Sequence, residues 1–161
     1  MIMFLSWNDI MNKITLIILL FPMISHASDT DCANVGASIE TGLFQDITGS
    51  MNIAPSSIIK DMTSVEVLNI SPVSRIFAAQ MAAVDHKADI ARKDGLELSE
   101  SQYLSSYYDN GVKNVTAKYT YQNKDGKKDI FIASGLINAD ECSVRYNGYL
   151  TLSREFWCCG G

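Results

Sequence analysis

Between Val112 and Ser153 the apolar residues fall on alternate positions, a period that constrains the chain to antiparallel strands more than anything else in it does. Val115, Ala117, Tyr119 and Tyr121 alternate with Asn114, Thr116, Lys118 and Thr120, as in a strand with one face buried. The cluster Asn123-Lys124-Asp125-Gly126-Lys127 then supplies a turn, and Ile130 to Ile137 a second strand. After Asn138-Ala139-Asp140, the run Cys142 to Ser153 returns with Val144, Tyr146, Leu150 and Leu152 in phase. A three-stranded meander is expected. Asn147-Gly148 is also a hairpin signal. Folding back there would separate Leu150 and Leu152 from Tyr146, so one long strand bulged at Gly148 is the preferred expectation.

Upstream, Asp31 can cap a helix carrying Val35, Ile39 and Leu43 and ending near Thr48-Gly49. Gly36 and Gly42 weaken it by up to roughly 1 kcal/mol each. Pro55 breaks the chain, and Ser64 to Ile70, rich in Val and Ile, is expected as a strand. A longer helix should open with Ser71 as cap and Pro72 at its first position. Its stripe would be Val73, Ile76, Phe77, Met81, Val84, Ala88 and Ala91, with a stop at Lys93-Asp94-Gly95. Ser99-x-x-Gln102 announces a second helix bearing Tyr103, Leu104, Tyr107 and Tyr108 and ending at Asn110-Gly111. These elements add up to an α+β fold: a three- to four-stranded antiparallel sheet with helices packed on one face. The arrangement resembles cystatin-like and NTF2-like architectures as a fold-level analogy, and no family motif accompanies it.

The compartment follows from the first residues. Lys13, the apolar run Ile14 to Ile24 and the box Ser25-His26-Ala27 form the pattern of a secretory signal peptide, with Met11 as the expected start. That run is 11 residues long, against roughly 20 needed to span a bilayer. Asp29-Thr30-Asp31 before Cys32 does not suit lipidation. Residues 1–27 are therefore expected to be removed, leaving 28–161 as one domain with a short tail from about 155 and no stable membrane insertion. The destination is periplasmic or secreted. A net charge of −5 gives no footprint for nucleic acid or for an anionic membrane surface.

An oxidising compartment allows the four cysteines to pair. Cys158 and Cys159 are chain neighbours, about 3.8 Å apart at Cα, closer than the roughly 4.4 to 6.8 Å of an ordinary disulfide. Cys32 with Cys142 is the expected pair, stabilising by about 4 to 5 kcal/mol in the chain-entropy model. Cys158 and Cys159, beside Trp157, belong to a frayed end or to a homodimer linked through one of them.

Chemistry is sparsely signalled. Past the signal, His86 is the one histidine, within Asp85-His86-x-x-Asp89, a turn that could hold a metal or orient a base but is far more often a solvated face. Nucleophile elbows and phosphate-binding glycine patterns are missing from the sequence. Asp125, Asp129, Asp140 and Glu141 fall in or beside turns, and no cofactor is implied.

The seven tyrosines, by contrast, all fall between Tyr103 and Tyr149, and tyrosine is enriched at recognition surfaces as well as in strands. The middle strand has two apolar faces, Ile130, Ile132 and Leu136 on one and Phe131, Ala133 and Ile137 on the other. Either the same chain covers the second face, the commoner arrangement, or a partner does. The candidate binding surface is drawn as Phe131, Ile137, Tyr149, Arg145, Lys118 and Tyr107. The leading expectation is an exported, non-catalytic protein that binds a protein partner, of inhibitor or immunity type. The alternatives are a hydrolase or metal-dependent enzyme using His86, and a carrier of a small apolar ligand between helix and sheet.

Overall fold

A computed structural model describes residues 28–93 and 95–156. The segment expected as a signal, Asp94, and the tail with Trp157, Cys158 and Cys159 lie outside the described residues. In order come helix α1 (Ser38–Ser50), strand β1 (Ser64–Pro72), helices α2 (Arg75–Arg92) and α3 (Glu100–Tyr108), and strands β2 (Lys113–Gln122), β3 (Lys128–Ile137) and β4 (Arg145–Arg154). The strands form one antiparallel sheet in the order β1-β2-β3-β4, so the fold is α+β as expected and the meander gains β1 as its first edge.

The alternation in β2 decides the core. Val115, Ala117, Tyr119 and Tyr121 are buried with Phe131, Ala133 and Ile137 of β3, and α1 lays Ile39, Leu43 and Ile47 over them. The helix comes close because Gly135 has no side chain: a Cβ there would stand 2.9 Å from Ile39 Cγ1 and 3.1 Å from the Arg145 carbonyl oxygen. A second cluster, Val73, Ala78, Ala82, Tyr107, Val112 and Leu136, joins α2 and α3 to the sheet. Alternation puts Leu136 on the face opposite Phe131 and Ala133.

Both helix starts shift from expectation. Asp31 opens only a 3-10 turn, Asp31–Ala33, and Gly36 at φ +89° turns the chain before α1 begins. Ser71 and Pro72 stay in β1, and the cap of α2 is Ser74, whose hydroxyl accepts from the Phe77 N–H at 3.2 Å. The Ser99/Gln102 capping box of α3 is formed as expected. The buried side of α2 is Ala78, Ala82 and Asp89 with Phe77 and Met81, while Ile76 and Val84 are exposed. The stripe is rotated because Tyr107 and Tyr103 of α3 donate their hydroxyls to Asp85 and Asp89, drawing the carboxylates inward.

β4 is a continuous strand, not a hairpin. Ser134 pairs with Gly148 and Gly135 with Tyr146, so Asn147 is an inserted residue, and Gly148 takes φ +98°. The insertion brings Tyr146 and Tyr149 to the α1 side together. It also reverses the phase beyond it, so Leu150, expected beside Tyr146, is 68% exposed on the opposite face, and Leu152, itself inserted at a second register shift, is 56% exposed as well.

The expected disulfide is present. Cys32 and Cys142 are linked with Cα atoms 5.1 Å apart across a sequence separation of 110, tying the N-terminal turn to the loop before β4. No described helix is long and apolar enough to cross a membrane.

Candidate functional site

The six residues drawn as one binding surface do not form one. Phe131 and Ile137 are fully buried. The Phe131 ring meets Tyr121 and Tyr149 edge-on, with centroids 6.0 and 5.8 Å away. The second apolar face of β3 is thus covered from within, by α1, and these two residues are corrected from surface to core. Tyr149 is half-buried at the margin of that core, its hydroxyl 3.3 Å from Ser50 Oγ. Tyr107 is buried between α2 and α3, and Arg145 is half-buried where β4 meets α2. Lys118, like Arg145, stands on the sheet face away from α1, and it is paired with Glu66 across β1 and β2.

The Asp85-His86-Asp89 turn is bound up in tertiary contacts. Asp85 accepts from Arg145 and the Tyr107 hydroxyl; Asp89 accepts from Arg92, the Tyr103 hydroxyl and the Leu98 N–H. Tyr103's hydrogen bond is the largest influence holding the Asp89 carboxyl below its ordinary range, and that same bond raises the Tyr103 hydroxyl. His86 Nδ1 lies 2.8 Å from the Leu98 carbonyl oxygen. These contacts fasten α2 to α3 and to β4. Among the described residues no group of three or more His, Cys, Asp or Glu is placed to hold a metal ion.

Two features remain open to solvent. The first is the outer face of the sheet at β3 and β4. Ile132 is paired with Leu150 across the strands, half-buried Ile130 lies next to them, and Leu152 stands exposed further along β4. A depression of about 270 Å³ opens beside Leu150, bounded by Thr116, Ile132, Ser134 and Asn147, with Gly148 contributing no side chain to fill it. β4 is the edge strand, and between Arg145 and Arg154 it carries no charge.

The second is a cavity of about 320 Å³ between α1 and the segment 55–63, walled by Phe44, Pro55, Ile58 and Tyr121. Glu40 lines it and is 6% exposed. Its carboxylate accepts from the Tyr121 hydroxyl at 2.8 Å and the Gly36 N–H at 3.0 Å. Lys60 stands at the rim, its Nζ 3.5 Å from where a Gly36 Cβ would lie. Burial and the Glu40 charge push the Tyr121 hydroxyl far up, so it acts as a donor at any ordinary pH. Glu40 is only weakly marked in the sequence. Its only signal was a lone carboxylate between Ile39 and Leu43, which the helical period leaves beside the buried stripe.

Compared with known proteins, the chain matches no family model, no curated protein and no solved structure.

Proposed function

We propose that this is an exported, non-catalytic binding protein that docks an extended segment of a partner protein along β4 and the outer face beside it. The observation that carries the reading is the exposed pair Leu150 and Leu152 on an edge strand, next to the depression at Gly148. Edge strands are ordinarily blunted by charges or proline. β1, at the other edge, follows that rule with Glu66 and Pro72, whereas the stretch Tyr146 to Ser153 carries neither charge nor proline and is interrupted only by its bulges. An extended segment would add main-chain hydrogen bonds to β4 and set alternate apolar side chains over Leu150 and into the depression. Export is supported by the leader pattern in the first 27 residues and agrees with a Cys32–Cys142 disulfide. The inhibitor or immunity-type role fits a small protein that works by shape, with its carboxylate turn committed to holding helices together.

The test is a photo-crosslinking amino acid at position 150 in the protein expressed with its leader. A cross-linked partner of different mass that disappears with Leu152→Asp, while the melting temperature holds, supports the reading. A dimer-sized adduct, or no adduct, overturns it.

A further inference from the structure

We propose that the cavity beneath α1 is a binding site for a small molecule with an ammonium head and an apolar body, held by Glu40. A buried carboxylate is costly unless its charge is compensated. Glu40 has two neutral donors, the Tyr121 hydroxyl and the Gly36 N–H, and no ion pair among the described residues includes it. An ionised carboxylate offers about four acceptor positions, so roughly two remain for a ligand. The walls around it are apolar and aromatic, Phe44, Pro55, Ile58 and Tyr121. A ring face such as that of Phe44 or Tyr121 also attracts a cation. The volume of about 320 Å³ lies at the low end of small-molecule sites, roughly 300 to 1,000 Å³. This admits an aryl or branched alkyl amine and excludes anything as large as a peptide domain.

Lys60 acts against Glu40 at this site, which gives the proposal a second testable charge. Its ammonium at the rim opposes an incoming cation, so the site binds an amine against that repulsion and not because of it. A pocket that merely absorbed apolar molecules would respond to neither Glu40 nor Lys60.

The experiment is calorimetric titration of the full oxidised protein with phenethylamine and, separately, phenylacetate. Phenethylamine should bind saturably at one site and phenylacetate about tenfold or more weaker. Glu40→Gln should weaken phenethylamine by about tenfold or more, and Lys60→Met should strengthen it, with phenylacetate moving in neither way. Glu40→Gln also alters the bond from Gly36. Thr41→Trp, an exposed residue on the cavity wall, therefore supplies a blocking variant that leaves Glu40's partners in place, and it should abolish binding at unchanged melting temperature. Equal binding of acid and amine, no saturable binding of either, or binding that survives Thr41→Trp overturns the proposal. None of these outcomes bears on the outer face of β3 and β4, whose depression shares no lining residue with this cavity and which is probed separately.

Discussion

Gly42 of α1 lies directly against the ring of Tyr146 on β4: a Cβ at position 42 would stand 2.8 Å from both Cγ and Cδ2 of that ring. The glycine that weakens the helix locally is the one that lets it seat on the sheet. Gly42→Ala should therefore destabilise by about 1 to 3 kcal/mol through overpacking, despite a helix-propensity gain of about 1 kcal/mol. Gly49 is the control, since a Cβ there meets nothing within 4 Å, and Gly49→Ala should stabilise by up to about 1 kcal/mol. Urea unfolding of the two variants would contradict the packing if Gly42→Ala were neutral or better.

The two sides of β4 and β3 should respond oppositely to truncation. Phe131→Ala removes a fully buried ring and should cost about 3 to 5 kcal/mol. Leu150→Ala removes an exposed side chain and should change stability by no more than about 0.5 kcal/mol. Comparable losses at both positions would mean that the outer face is covered.

Alkaline pH should unfold the protein through its tyrosines. Tyr103, Tyr107, Tyr119, Tyr121 and Tyr146 are all raised above the ordinary value, the last four chiefly by burial and Tyr103 chiefly by its bond to Asp89. A hydroxyl raised in the folded state favours folding below its unfolded value of about 10, and that contribution is lost as pH climbs from there toward the folded value. Tyrosinate absorbance followed beside circular dichroism should show these groups ionising together with loss of structure; ionisation of all five in the intact fold would refute this coupling.

Acid should loosen the α2–α3 hairpin by the opposite sign. The Asp89 carboxyl is lowered, first by the Tyr103 hydroxyl, so its contribution is complete above the ordinary value of 3.8 and fades as pH falls through the folded value. Asp89→Asn should flatten the acid limb of the stability curve, and an unchanged limb would show that Asp89 is not part of it.

Replacing Cys32 and Cys142 together by serine opens a link across a separation of 110 residues and should cost about 2 to 5 kcal/mol. Equal denaturation midpoints for the variant and the oxidised protein would show that the bond adds nothing to folding.

Local chemistry accounts for most of what could be read in advance. The strands of the meander, the Ser99/Gln102 box and the bulge at Gly148 rest on period, cap and turn preferences that act over a few residues, whereas the Cys32–Cys142 pair was one of several pairings that the sequence leaves open. The candidate surface was less legible. Phe131 and Ile137 looked available because the middle strand is apolar on both faces, and nothing in the sequence says which face α1 will cover.

Where the bulge redirects side chains was likewise undetermined by pattern. The inserted residue at Asn147 reverses the phase, so Tyr146 and Tyr149 turn inward while Leu150 turns out, and Leu152, itself inserted at a second register shift, is exposed as well. The alternation of the sequence determined that these segments are strands, because a pleated backbone repeats every two residues whatever surrounds it. Which side of each strand meets α1, and that Glu40 ends up in an apolar cavity beneath it, was decided only in three dimensions, because burial depends on groups that lie far apart in the chain.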